Sequence, residues 1–183
     1  MSYGYDNDGL LTNAGALTLT RDVQNGFMTG TTLGSISTNR LYNGFVELES
    51  EQVLFNTSNL YNVSFIRDKL GRITQKAETL NASTTTYDYR YDLAGRLDQV
   101  TTNGSVSSTY GYDSNSNRES HNGTIGIYDE QDRLLTYGAA SYSYTTNGEL
   151  LTKTEAGLTT NYTYDVIGNL TNATLPGGMV IDY

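Results

Sequence analysis

Cysteine is absent from the 183 residues, so no disulfide framework holds the chain and the redox compartment cannot be read from thiols. Proline occurs once, at Pro176, and histidine once, at His121. A Ser/His or Cys/His nucleophile would therefore have a single possible base. Lys and Arg number 11 against 20 Asp and Glu, a net charge of −9, which excludes a phosphate-reading surface and with it nucleic acid as a partner. No apolar run reaches membrane-spanning length, and nothing after Met1 reads as a signal peptide. Helical periodicity never persists beyond about two turns, so helix is expected to be minor.

What the chain has instead is tyrosine, 16 residues against 4 Phe and no Trp, with 19 Gly and abundant Thr and Ser. That is the composition of half-exposed sheet. Residues 87–101, YDYRYDLAGRLDQVT, place Tyr87, Tyr89 and Tyr91 on one face of a strand and Asp88, Arg90 and Asp92 on the other. Asp92-Leu93-Ala94-Gly95 then fits a type I turn closed by a left-handed Gly95. The resulting hairpin predicts Tyr91 opposite Leu97, Asp92 opposite Arg96, Arg90 opposite Asp98 and Tyr89 opposite Gln99.

The unit recurs. Tyr5 to Leu11 and Tyr164 to Leu170 repeat it almost intact, and weaker copies start near Asp22, Tyr42, Arg67, Tyr112, Tyr128 and Tyr144. The turn-glycine slot falls at 9, 26, 46, 71, 95, 116, 132, 148 and 168, with one extra residue ahead of Gly26. Six of these nine copies keep the tyrosine-opposite-leucine pair, which makes the repeat a structural unit and not a coincidence of composition. Val46, Ser116 and Asp132 hold the slot where glycine is wanted, so those three turns are expected to take another shape. Between the copies lie turns of opposite sense, at Asn103-Gly104, Asn122-Gly123, Gly138 and Gly157. Turns at both ends of each strand pair predict an all-β antiparallel meander of about 15–20 strands, filling residues 1–183 as one array of about nine hairpins. The ending, Leu175 to Tyr183, reads as the turn and rising strand of a further unit, so the sequence is expected to be a piece of a longer array.

Tyr91-Asp-Leu-Ala-Gly-Arg-Leu97, Arg67-Asp-Lys-Leu-Gly-Arg-Ile-Thr74 and Tyr164-Asp-Val-Ile-Gly-Asn-Leu-Thr171 resemble the YD repeats of the bacterial Rhs family. These repeats are shared by the encapsulating component of Tc toxins and by teneurins. The resemblance implies a curved, spiralling sheet that forms part of a hollow shell. It further implies a secreted or cell-surface location, the remaining repeats of a parent chain as partners, and an enclosed C-terminal toxin or effector as cargo. Cargo release in bacterial members uses an Asp-Pro motif and aspartates. No Asp-Pro occurs here, since Pro176 follows Leu175, and no cargo-like segment is present in these residues.

Other chemistry reads more simply as architecture. Exposed tyrosines could stack on sugars and so serve glycan or cell-surface contact, but their recurrence along the whole array fits a packing role. His121, in Ser120-His121-Asn122-Gly123, is expected to be a solvated loop histidine. Asp6-Asn7-Asp8-Gly9 resembles the start of a calcium loop, lacks its later ligands, and is explained as a hairpin turn. Glu47, Glu49 and Glu51 alternate on one strand face as protective charge. Eight Asn-x-Ser/Thr triplets occur, at Asn56, Asn62, Asn81, Asn103, Asn122, Asn161, Asn169 and Asn172, and composition accounts for several of them. No catalytic, cofactor-binding or metal-binding residue is assigned, no cofactor is expected, and the chain is read as structural and not as an enzyme.

Overall fold

The computed structural model describes residues 2–183, and among them there are nineteen β-strands and no helix. The chain divides into two compact units, Met1–Ser107 and Ser108–Tyr183.

The first unit is an antiparallel meander of β1 (Tyr3–Tyr5), β2 (Leu11–Ala14), β3 (Leu17–Arg21), β4 (Met28–Leu33), β5 (Ile36–Tyr42), β6 (Leu48–Phe55), β7 (Ser58–Arg67), β8 (Ile73–Leu80), β9 (Ser83–Tyr91) and β10 (Leu97–Thr102). Each strand pairs with the next in sequence. β11 (Ser105–Gly111) carries the division. The second unit continues in the same manner through β12 (Ser120–His121), β13 (Thr124–Tyr128), β14 (Leu134–Tyr137), β15 (Ala140–Tyr144), β16 (Leu150–Glu155), β17 (Leu158–Tyr164), β18 (Leu170–Thr174) and β19 (Val180–Asp182).

Two kinds of turn alternate, so in each unit one kind lines one edge and the other kind the opposite edge. Two-residue loops need left-handed backbone, and asparagine or glycine supplies it: Asn103 and Gly104 have φ of 48° and 81°, Asn122 and Gly123 49° and 81°. Gly15, Gly34, Asn56 and Asn81 do the same in the first unit, at loops beyond the four expected from the sequence. Four of the Asn-x-Ser/Thr triplets, at 56, 81, 103 and 122, therefore record one turn type, a left-handed Asn followed by the opening of a strand.

The other edge carries the Tyr-Asp turns. Tyr91 pairs with Leu97, Tyr144 with Leu150 and Tyr164 with Leu170, as expected. One step further the register departs from expectation. Arg90 pairs with Gln99 and Tyr89 with Val100, because Asp98 is an extra residue in a β-bulge. The same bulge follows seven other Tyr-Asp-type turns, skipping Thr12, Thr29, Glu49, Thr74, Leu135, Leu151 and Thr171. The Arg90–Asp98 ion pair still forms, at 2.9 Å, but from the bulge and not from a regular cross-strand site. Thr74 and Thr171 use the equivalent position to donate their hydroxyls to the carbonyls of Ile66 and Thr163.

Among the described residues only Val63, Ala140 and Ala173 are buried apolar side chains. Burial is spread thinly over half-covered rows, in which long side chains lay their stems over their neighbours.

Candidate functional site

The repeated chemistry of the chain lies along the edge of Tyr-Asp turns. Each turn closes with the same two backbone bonds. The amide of its first residue donates to the carbonyl of the fifth, and the amide of the fourth donates back to the first. For Asp92 these are 2.9 Å to Arg96 and 3.0 Å from Gly95. The pair recurs at turns starting at Asp6, Asn43, Asp68, Asp113, Asp129, Thr145 and Asp165, and Asp22 makes it with one residue more. Leu175 makes it as well, in a tenth turn where Pro176 presets the backbone and Gly177 and Gly178 both have φ of 89°.

Val46, Ser116 and Asp132 were expected to break this pattern, and they do not. Their φ values are 66°, 72° and 60°, and their amides donate to Asn43, Asp113 and Asp129 just as the glycines do. Strain of about 1–2 kcal/mol for a left-handed residue bearing a Cβ is smaller than what the rest of the turn supplies. Val46→Gly should therefore raise stability by about 1 kcal/mol and Gly95→Val lower it by about 1–2 kcal/mol, in urea melts of the two variants. A turn unable to tolerate valine would instead lose the whole hairpin at position 95.

A side-chain clamp reinforces the turns that open on Asp, Asn or Thr. In the Asp and Asn turns of ordinary length one side-chain oxygen of the first residue accepts from the amides of the third and fifth residues, at 2.9 and 3.1 Å in Asp68. The Thr145 hydroxyl accepts from the fifth alone. The aspartate's second oxygen takes a donor from the fifth side chain: Arg72 at 2.7 Å, Arg96 at 2.8 Å, Arg133 at 2.7 Å, Asn117 at 3.0 Å and Asn169 at 2.9 Å. Where the first residue is itself the donor, the fifth is a carboxylate. Asn43 gives its amide to Glu47 at 2.7 Å, and Thr145 gives its hydroxyl to Glu149. First and fifth positions thus always complement each other in these seven turns.

Five of the carboxylates held this way, Asp68, Asp92, Asp129, Glu149 and Asp165, are more acidic than usual. The Arg72 guanidinium holds Asp68 below its ordinary range, and the Arg96 and Arg133 amides, aided by their guanidinium groups, do the same to Asp92 and Asp129. The Asn169 side chain lowers Asp165, and the Thr145 hydroxyl lowers Glu149. Each depressed pKa contributes stability that is complete above the unfolded value, about 4. The contribution is lost as pH falls through the folded value, because the unfolded chain then binds more protons. The denaturation midpoint should hold level from neutral pH to about 5 and fall steadily below about 4.

At six turns the residue just ahead stitches the turn to the one before it. The Tyr42 hydroxyl donates to Met28 O at 3.0 Å, Tyr91 to Ile73 O at 2.7 Å, Tyr128 to Arg118 O at 3.1 Å and Tyr144 to Leu134 O at 2.8 Å. Each acceptor sits six residues, or seven at the longer Asp22 turn, after the corresponding position of the preceding turn. Arginine does the same work at two copies. Arg21 Nε donates to Leu11 O at 3.1 Å, and Arg67 Nη2 to Leu48 O at 3.4 Å. Both also bond the glycine-slot carbonyl of their own turn, Gly26 at 2.9 Å and Gly71 at 3.0 Å. Arg67 opens a weaker copy of the repeat by sequence and a full one by structure, because a guanidinium and a phenol reach equivalent carbonyls.

A second link runs through the fifth residue. A Cβ at Gly71 would lie 2.8 Å from Glu47 Oε1 of the previous turn, and one at Gly95 3.3 Å from Arg72 Nη1. Where the slot holds Asp132, its carboxylate accepts from Asn115 and Asn117 of the turn before, at 2.9 and 2.7 Å. Asp132 is thus a contact in the stitch.

The other candidates fall in separate places. His121 is a strand residue, not a loop one, and its ring lies flat on Tyr110 with centroids 4.9 Å apart and planes 5° apart. Glu47 belongs to a turn clamp and Glu51 to Arg40, at 2.7 Å, while Glu49 sits in a bulge, so the three do not act as one row. Asp6 to Gly9 form a hairpin turn, and among the described residues no group of three or more His, Asp or Glu could hold a metal ion.

The family model described as Teneurin YD-shell matches residues 1–183. No curated protein sequence matches. Among solved structures the chain is similar to one in the crystal structure of TcdB2-TccC3-Cdc42, at TM-score 0.55 and 13% identity over 94% of this chain and 12% of the other. A chain of the Photorhabdus luminescens Tc holotoxin pore is similar at TM-score 0.54 and 13% identity, over 99% of this chain and 13% of that one. Both likenesses establish the fold, and this chain spans about an eighth of the length of either relative.

Proposed function

Because the chain belongs to the teneurin YD-shell family, we propose that it is a length of shell wall that, joined to further repeats, encloses a C-terminal toxin or effector cargo outside the producing cell. The observation that carries this reading is the stitched edge. The same clamp and the same turn-to-turn bond recur across the chain, while titratable groups are spent on holding turns. A wall works by keeping water-borne proteases and partners from its contents, which requires unbroken strand pairing and no single reactive side chain. The chain is accordingly a non-catalytic part, and its partners are its neighbouring repeats and the cargo.

Limited proteolysis of the parent protein tests the reading. Deleting residues 87–101 removes one hairpin and should expose the cargo to cleavage, whereas His121→Ala should leave it protected and active. Cargo still protected after the deletion, or activity lost on changing His121 alone, would overturn it.

A further inference from the structure

Five Asn-Gly steps occur in the chain, at Asn25, Asn43, Asn103, Asn122 and Asn147. At such a step the glycine nitrogen can attack the asparagine Cγ, since no Cβ stands in its way. Folding treats the five differently. Gly26 and Gly148 commit their amides to the carbonyls of Asp22 and Thr145, at 2.9 and 3.1 Å. Asn103 and Asn122 turn their side-chain oxygens onto the neighbouring strands, where Thr86 N and Thr109 N donate to them at 2.8 and 2.7 Å. Gly44 is exposed, and its amide has no hydrogen-bond partner among the described residues.

Asn43 is also held for that reaction. Its Oδ1 accepts from Phe45 N at 2.9 Å and Glu47 N at 3.1 Å, which folds the side chain back over the turn, toward the amide that follows. The same two donors stabilise the charge that builds on Oδ1 when nitrogen adds to Cγ. Nδ2, the leaving group, already donates to Glu47 Oε2 at 2.7 Å. Of the ten Tyr-Asp-type turns among the described residues, only this one opens on an amide side chain with glycine next. Seven open on Asp, and an ionised carboxylate repels a nucleophile.

We propose that Asn43 is a self-deamidation site. The Gly44 nitrogen gives its proton to water and bonds to Cγ. The Cγ–Nδ2 bond breaks, Glu47 relays a proton from solvent to the departing nitrogen, and ammonia leaves. Water then adds to Cγ of the five-membered imide, breaks its bond to the Gly44 nitrogen and restores the backbone amide, leaving an aspartate at position 43. Asparagine and water thus become aspartate and ammonium. The new carboxylate faces Glu47 across the gap that a donated bond had closed, so the clamp becomes a like-charge pair. The change is irreversible and loosens one defined hairpin. It follows from the turn's own geometry and does not depend on cargo.

Peptide mapping by mass spectrometry of the full 183-residue chain, aged in mildly alkaline buffer, tests it. Position 43 should convert about tenfold or more ahead of the other four steps, because its reactants are held together. It should slow when the chain is unfolded in guanidinium chloride, whereas the other four should speed up. Glu47→Gln should cut the rate at 43 by about tenfold or more by removing the proton relay. Gly44→Ala should bring it down to the level of the other sites. Asn43→Asp should lower the urea midpoint, and adding Glu47→Asn, the pairing found at Asp113 and Asn117, should recover it. Conversion at 43 that lags the other steps, or that unfolding accelerates, overturns the proposal. An unchanged midpoint in Asn43→Asp refutes the loosening.

Discussion

Val63→Asp should destabilise the first unit by about 3–5 kcal/mol, the range for leaving a charge buried and uncompensated. Val63 is 4% exposed on β7, directly between Glu51 on β6 and Glu78 on β8. Cross-strand partners share a face, so an aspartate there would meet a carboxylate on each side as well as losing water. The two glutamates already have partners, Arg40 at 2.7 Å and Lys76 at 3.1 Å, and neither cation is free to compensate a third acid. Val63→Lys reverses the sign of the local interaction, and its longer stem can carry the charge outward. Urea denaturation should therefore rank wild type above Lys and Lys well above Asp. Equal losses for the two charges would mean that Val63 is held by shape alone.

Gly30→Val is the second large effect, with an expected loss of about 2–3 kcal/mol. Gly30 is buried on β4, opposite Asn39 of β5. A Cβ built there falls 2.6 Å from the carbonyl oxygen of Thr38, a backbone atom in the paired strand. A side-chain neighbour could turn away; this one is fixed by the ladder, so the strands must part. Gly44 is the matching control, because it sits at a turn tip with nothing within 4 Å of its Cβ position. Gly44→Ala should be neutral or stabilise by up to about 1 kcal/mol through the unfolded chain. Urea melts of the two variants separate a steric effect from a general cost of removing glycine.

Much of this architecture is legible in the residues. Alternating Tyr87, Tyr89 and Tyr91, followed by Asp92 and Gly95, dictate both a strand and its turn, and Asn103-Gly104 dictates the opposite one. The bulges are not legible. Their extra residues are Thr, Glu, Asp or Leu, and a bulge has no side-chain requirement that would mark it. Val46 misleads for a different reason: a penalty read at one residue competes with a turn whose bonds are set by its neighbours. Loops at Asn56-Thr57 and Asn81-Ala82 escape because asparagine, and not glycine, carries the left-handed backbone there. Their signal was the asparagine itself, midway between consecutive Tyr-Asp turns.

The stitch was the least visible feature, because it joins residues 10 to 19 apart through groups as unlike as phenol and guanidinium. Recognising it changes what counts as a complete copy. Arg21 and Arg67 are full members of the repeat, and tyrosine is favoured because its ring covers apolar surface while its hydroxyl reaches a carbonyl.

That claim is tested most directly by urea denaturation of Tyr91→Phe beside Tyr87→Phe. Both substitutions remove one hydroxyl from β9, but only that of Tyr91 donates to a carbonyl, Ile73 O at 2.7 Å, whereas Tyr87 packs its ring under the Lys76 ammonium at 4.4 Å. The stitch predicts a loss of about 1 kcal/mol at position 91 and almost none at 87. Equal effects at the two positions would contradict it.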